Sequence, residues 1–434
     1  MRELHPLAQD LNAVFERDHP LILRLLSERG RAIYFPKLGI LSQGAQAEGT
    51  SVNASIGIAL EDDRTAMRLP SAAKLVSLPP DDVFPYVGAY GKKSLREAWC
   101  IQMREKNPSL KAETSLPVVT AGLTHALSIA GYLFFNPGDH VILPTPYWDN
   151  YELTFGLQCG VKLRSFPLFA GEGFNVEGLR CILSDSHGKT ILFLNFPNNP
   201  TGYSPLQSEA REIVDAIWHC AESGHDVLVI LDDAYFGLVY EEEVYRESLL
   251  SLLADLHERV LVVKVDGCSK EDYAWGLRVG FLTYAGKGAT REVFTALEDK
   301  TAGVVRATVS NASHLGQSLL LQTFRSKTYA QEKAVKRALL QSRYLALKKE
   351  LAKGSPFFQV LPCNSGYFLC LELQEGIDAE AVRQLLLNEY DTGVIALGNL
   401  IRIAFSSLLG EQIPTLLQNL EEACDRLCSS LRST

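Results

Sequence analysis

Long apolar runs are missing from this 434-residue sequence. The longest, Ala126 to Phe135, is broken by Ser128 and Gly131 and falls well short of the ~20 residues that span a bilayer. A basic excess is missing too. With 42 Lys+Arg against 51 Asp+Glu the formal charge is −9, which argues against a surface built to displace counterions from nucleic acid. The nine cysteines include no C-x-x-C pair, and Cys424 and Cys428, four apart, have no histidine near them. This excludes a disulfide framework and a metal site and points to a reducing compartment. Residues Met1–Asp10 carry charges and no apolar signal core, so the expected location is cytoplasmic, and the sequons at Asn53 and Asn311 are expected to stay bare.

Several chemical signatures are missing as well. There is no G-x-x-x-x-G-K-[ST] phosphate loop, no G-x-G-x-x-G turn, no H-E-x-x-H and no G-x-S-x-G elbow. Nor are there internal repeats or low-complexity tracts.

What is present is an alternation of strands and helices. Apolar runs at Pro117–Thr120, His140–Leu143, Val161–Phe166, Ile191–Phe196, Val227–Leu231, Val260–Val265 and Val279–Tyr284 read as strands. Their continuity, rather than alternation, suits strands buried on both faces of a parallel sheet. Leu123–Phe135 and Ser208–Ser223 read as helices between them. Leu11, Val14, Phe15, Ile22, Leu25 and Leu26 recur with helical spacing, and Gly39–Thr50 reads as a connecting loop. Beyond residue 315 a long helix is expected over about 319–353, then short strands at Phe358–Leu361, Tyr367–Leu373 and Leu400–Ser406. Helices at Asp378–Asn388 and Pro414–Ser430 complete this tail. The expected fold is therefore α/β. A large domain over 57–318 carries a mostly parallel sheet with helices on both faces, and residues 1–56 with 319–434 form a smaller α+β domain.

Polar segments follow the strands, at the end where open α/β sheets bind ligands. Thr120-Ala121-Gly122-Leu123-Thr124 opens a helix and is either an anion cradle or a plain turn. In Pro144-Thr145-Pro146-Tyr147-Trp148 the indole either fills core or offers a flat platform for an aromatic ring. Asn195-Phe196-Pro197-Asn198-Asn199-Pro200-Thr201-Gly202 is far more specified than a turn needs. Leu231-Asp232-Asp233-Ala234-Tyr235 ends an apolar strand in a carboxylate, which is costly to bury without a cation. Finally Cys268-Ser269-Lys270 is followed eight residues later by Arg278, in Gly276-Leu277-Arg278-Val279-Gly280.

The order and spacing of N-x-P-x-N-P-T-G, D-x-A-Y, S-K and G-x-R-x-G resemble the class I/II aminotransferases. These belong to the fold type I, pyridoxal-phosphate-dependent superfamily that includes aspartate aminotransferase. The resemblance spans roughly residues 50–407.

It implies pyridoxal 5'-phosphate as cofactor and amino-group transfer between an L-amino acid and a 2-oxo acid in two half-reactions. Lys270 matches the lysine that holds the cofactor aldehyde as a Schiff base and moves the Cα proton. Lys264 is the rival, but it lacks the preceding Ser and the following Arg. Asp232 matches the carboxylate paired with the pyridinium nitrogen, leaving Asp233 to point elsewhere. Asn199 and Tyr235 match the pair at the phenolic oxygen, and Trp148 the stacking ring. Arg278, Ser269, Gly122, Leu123 and Thr124 match the phosphate ligands, with Tyr86 reaching a phosphate across a homodimer interface. Relatives often carry Ser or Thr where this chain has Gly267, three residues before the lysine.

Arg402, alone in an apolar strand, matches the ligand of the substrate α-carboxylate, with the backbone of Gly57 beside it. Arg306, four and five residues before Ser310 and Asn311, resembles the arginine that grips a distal carboxylate from the partner subunit. Acidic or aromatic amino acids with 2-oxoglutarate are thus the implied substrates. A lyase, decarboxylase or synthase on the same fold is the alternative, since it shares every cofactor residue. A transcriptional regulator would need a basic segment near the N-terminus, and the first fifty residues carry no basic cluster.

Overall fold

The computed structural model describes residues 4–18, 26, 31–32, 40–74, 78–186 and 188–431. Seven strands make the main sheet: β1 (Val118–Thr120), β2 (His140–Thr145), β3 (Lys162–Pro167), β4 (Lys189–Asn195), β5 (Asp226–Asp232), β6 (Val260–Gly267) and β7 (Gly280–Gly286). They lie in the order β1-β7-β6-β5-β4-β2-β3. The pairs β2/β3, β2/β4, β4/β5 and β5/β6 are parallel, and β7 runs antiparallel to both of its neighbours. The mostly parallel sheet expected from the continuous apolar runs is what forms.

Burial explains those runs. Ile191 and Phe193 of β4, with Leu228 and Ile230 of β5, join the core on one face. Leu192, Leu194, Val227, Val229 and Leu231 join the core on the other. Helix Leu123–Phe134 covers the first face through Ala126, Leu127, Ile129 and Ala130; helix Gln207–Glu222 covers the second through Ala210, Ile213, Ala216 and Ile217. Each fully buried Leu or Ile contributes about 1.5–3 kcal/mol.

A smaller antiparallel sheet follows, with strands β8 (Phe358–Val360), β9 (Phe368–Leu373), β10 (Ile395–Leu397) and β11 (Leu400–Ala404) in the order β8-β9-β11-β10. Its face packs against helices Tyr329–Leu351, Ala379–Glu389 and Ile413–Leu431. Near this sheet the N-terminal segment returns, pairing Val52–Asn53 with Thr392–Gly393.

Two expectations need correction, and a third holds in part. The long helix over 319–353 is two helices, His314–Phe324 and Tyr329–Leu351. Between them Ser326 and Thr328 bond each other's side chains and the Thr328 amide, an alternative to the helical ladder. The supposed loop at Gly39–Thr50 contains the helix Ile40–Gln46, held by Gln43, whose amide bonds both backbone groups of Ala396 at 3.0 and 2.7 Å. Tertiary contact, not propensity, sustains so short a helix. Leu11, Val14 and Phe15 lie in the helix Pro6–Asp18 and Leu26 in a bend, while Ile22 and Leu25 lie outside the described residues. Among the described residues no helix is long and apolar enough to cross a membrane, and no cluster of His, Cys, Asp or Glu suits a metal ion.

Candidate active site

The carboxyl ends of β1, β4, β5 and β6 point the same way, and β7 starts at that end because it runs backwards. Each strand therefore delivers its following polar segment to one place, a cavity of about 500 Å³ between the two sheets. Gly57, Leu123, Thr124, Trp148, Asn199, Asp232, Tyr235, Ser269, Lys270, Arg278 and Arg402 all line it.

Lys270 sits on the short helix Cys268–Glu271 that ends β6. Its Nζ donates to the Gly57 carbonyl at 3.3 Å and lies 5.2 Å from the centre of the Tyr235 ring. Burial, then the nearby Arg402 and Arg278 guanidinium groups, lowers its pKa to about 8. Tyr367 fixes the turn from the small sheet by donating to the Lys270 carbonyl at 2.7 Å. Lys264 is fully buried one strand-length away and paired with Asp233 at 3.0 Å and with Asp266. The rival lysine and the rival carboxylate thus neutralise each other outside the cavity.

Asp232, the last residue of β5, accepts hydrogen bonds from the Tyr151 hydroxyl at 2.7 Å and the Ala234 amide at 3.1 Å. Desolvation raises its pKa to about 6. Asn195 fixes the neighbouring chain: its Oδ1 accepts from the Asn199 amide at 2.9 Å and its Nδ2 donates to the Asp232 carbonyl at 2.8 Å. Neither Tyr151 nor Asn195 was singled out as a site residue from the sequence. Asn195 opens the octet that was flagged, so its signal was present; Tyr151, three residues after Trp148, gave none. The Trp148 and Tyr151 rings meet edge to face at 5.5 Å.

Arg402 lies in the middle of β11, fully buried. It donates to Asn199 Oδ1 at 3.2 Å and to the Ser55 carbonyl at 3.3 Å, and its guanidinium lies 4.2 Å from the centre of the Phe368 ring. Its Nε has no partner, and among the described residues no carboxylate is paired with it. Gly202 explains the last letter of the octet. It adopts φ +72°, and a Cβ there would stand 2.0 Å from the Phe368 carbonyl.

Glycine and arginine shape the other end of the cavity. Arg278 holds a left-handed φ of 51° and lays its guanidinium against Gly122, where a Cβ would come within 2.4 Å of Nη2. Gly122 thus borders the cavity at the start of helix Leu123–Phe134, whose first amides have no intrahelical acceptor. Ser269 Oγ is buried without a partner. Gly267, the departure from the family pattern, also has a cause: a Cβ there would sit 2.8 Å from the Val279 carbonyl and 3.0 Å from Leu123. A Ser or Thr would collide with the turn itself.

Two expected site residues are elsewhere. Tyr86, nine-tenths exposed, and Arg306 line a separate surface hollow with Ser310 and Asn311. Arg306 donates to Ser310 Oγ at 2.8 Å.

These residues fit pyridoxal phosphate. An unpaired buried carboxylate faces an unpaired arginine across a desolvated lysine, and helix amides, Arg278 and the partnerless Ser269 hydroxyl offer donors for a phosphate.

The probable N-acetyl-LL-diaminopimelate aminotransferase of Bacillus subtilis is 26% identical over 317 residues, 71% of this chain and 73% of the relative. The arginine–pyruvate transaminase of Pseudomonas aeruginosa is 24% identical over 326 residues, 72% of this chain and 73% of the relative. Among solved structures, an aminotransferase from Anaerococcus prevotii superposes with a TM-score of 0.82 at 22% identity, covering 92% of this chain and 99% of its own. The family model for aminotransferase class I and II matches residues 52–420. The chain belongs to the class I and II aminotransferases, pyridoxal-phosphate-dependent enzymes that transfer amino groups.

Proposed function

We propose that this aminotransferase works through Lys270 as the group that moves the substrate's Cα proton, between Asp232 at one end of the cofactor ring and Arg402 at the substrate carboxylate. The convergence of these three side chains in one cavity carries the reading. Bound pyridoxal phosphate supplies the electron sink that makes the Cα–H bond acidic. Asp232 would hold a proton on the ring nitrogen, Asn199 with Tyr235 would donate to the phenolic oxygen, and Trp148 would offer the ring a flat face. Ser269, Arg278 and the turn Gly122–Thr124 would hold the phosphate. A lysine with a pKa of about 8 is neutral in a useful fraction near neutral pH, so its Nζ can take the Cα proton. Arg402 binds the α-carboxylate through its fork, replacing weaker bonds to Asn199 and Ser55. The Gly57 backbone lies beside that carboxylate and accepts from Lys270 in the meantime.

Ile40, Ile56, Phe368 and Trp275 also line the cavity, which favours an aromatic or other apolar side chain. Acidic donors require Arg306, which in one chain lies away from the cavity. A homodimer, with Tyr86 and Arg306 of one copy completing the site of the other, is therefore part of the proposal, as is a cytoplasmic location. Residues 57–318 would form the large domain, and 1–56 with 319–434 the small one.

Incubating the loaded enzyme with glutamate, aspartate, tyrosine, leucine or alanine, and assaying the 2-oxo acid formed in a single turnover, tests this. The expected result is one equivalent of 2-oxo acid from tyrosine or the acidic pair. Pyruvate and ammonia released without an acceptor would instead indicate the lyase alternative.

A further inference from the structure

His125, in the first turn of helix Leu123–Phe134, grips the chain just before that helix in a way the roles above do not use. Its Nδ1 accepts from the Ala121 amide at 3.1 Å, and its Nε2 lies 2.9 Å from Thr308 Oγ1. The Thr308 hydroxyl already donates to the Val304 carbonyl at 2.8 Å, so it can only accept from the imidazole. The ring is thereby fixed as the neutral Nε2–H tautomer, with a bond on each nitrogen. Burial lowers its pKa, which favours the same form.

The turn it grips has little freedom elsewhere. Thr120 Oγ1 donates to the Gly122 carbonyl at 3.0 Å, Gly122 sits at φ +90°, and a Cβ on Gly280 would come within 2.6 Å of the Gly122 backbone. Of the amides at this end of the helix, His125 claims that of Ala121 alone. The next residues, Leu123 and Thr124, line the cavity, and at the start of a helix their amides have no intrahelical acceptor. The other end of the imidazole is anchored on helix Arg291–Thr308, so the turn is tied to a second element.

We propose that His125 is a positioning residue for the phosphate-binding turn: by holding the Ala121 amide against Thr308 it orients the free amides of Gly122, Leu123 and Thr124 toward the cofactor phosphate. The inference rests on the reading of that turn as the phosphate site. Glutamine can reproduce both bonds, with Oε1 accepting from Ala121 and Nε2 donating to Thr308; leucine can make neither.

The test is a binding titration, independent of turnover. The full chain, stripped of cofactor, is titrated with pyridoxal phosphate and separately with pyridoxal, which lacks the phosphate, following imine absorbance. His125→Leu is expected to weaken pyridoxal phosphate roughly tenfold, the scale of a lost hydrogen bond, and to leave pyridoxal unchanged. His125→Gln is expected to restore the wild-type value. Equal weakening of both ligands, or no weakening, would overturn the role of His125. Arg278→Met separates this from the phosphate reading itself: if that variant too fails to discriminate the two ligands, the phosphate site is misplaced. Should His125→Leu not fold, Thr308→Val carries the test, with a phosphate-specific loss of about two- to threefold expected and none overturning the proposal.

Discussion

Asp232 has left water without gaining a direct ion-pair partner. Its two hydrogen bonds come from neutral donors, Tyr151 and Ala234, and burial lifts its pKa to about 6 against a usual value near 4. An unfolded chain therefore releases this proton about two units earlier than the folded one. The sign follows: the carboxyl favours the cofactor-free folded state below about pH 4, and that contribution is lost as the pH rises to about 6. Asp232→Asn should accordingly stabilise the cofactor-free protein at pH 7.5 by about 1–3 kcal/mol and leave it unchanged at pH 4, read by urea titration at both values. Pyridoxal phosphate affinity should fall in the same variant. Lys270, Asp232 and Arg402 were legible in the sequence because a charged residue in an apolar run, or in an ordered set of motifs, has few structural explanations. Tyr151 was not. Its role depends on a helical turn carrying it beneath β5, and an aromatic among aromatics looks like core.

The elements that carry these residues are held by charge as well as by packing. The short helix bearing Lys270 continues into Glu271 and Asp272, both buried. Lys106 bonds Glu271 at 2.7 Å, while Lys333 reaches Glu271 at 2.9 Å and Asp272 at 3.0 Å. Tyr329 also donates to Asp272, at 2.6 Å. One lysine comes from helix Lys93–Lys106 and the other from helix Tyr329–Leu351, so the turn is clamped from both sides. Lys333→Met leaves one buried carboxylate short of a cation and should cost about 3–5 kcal/mol, measured by denaturant titration. At the opposite wall, Gly122→Ala forces a methyl onto the Arg278 guanidinium at a φ that L residues resist, so pyridoxal phosphate affinity should drop at least tenfold. The parallel strands were legible to within a few residues because burial on both faces leaves an unbroken apolar run. The helix Ile40–Gln46 and the break at Arg325–Thr328 were not, since one depends on Gln43 meeting Ala396 and the other on side chains competing with the backbone.

The whole molecule brings residues distant in sequence to one cavity. Arg402 of the small sheet touches Asn199 in the loop after β4, and the carbonyl of Phe368 approaches Gly202 so closely that only glycine fits. What the single chain does not bring there is Tyr86 and Arg306. Phe84 and Tyr86 are 83% and 90% exposed, an expensive display of aromatic surface for a monomer. Sedimentation should find two copies of the chain together, and Phe84→Asp with Tyr86→Asp should return it to one copy; a monomeric wild type would remove the composite site. The most direct test of the account is hydrogen exchange at Cα. Enzyme loaded with pyridoxal phosphate is incubated with tyrosine or glutamate in deuterium oxide, and loss of the Cα–H signal is followed by NMR for wild type and Lys270→Ala. With Lys270 as the proton carrier, the variant should exchange at least about a hundredfold more slowly; exchange at the wild-type rate would contradict it.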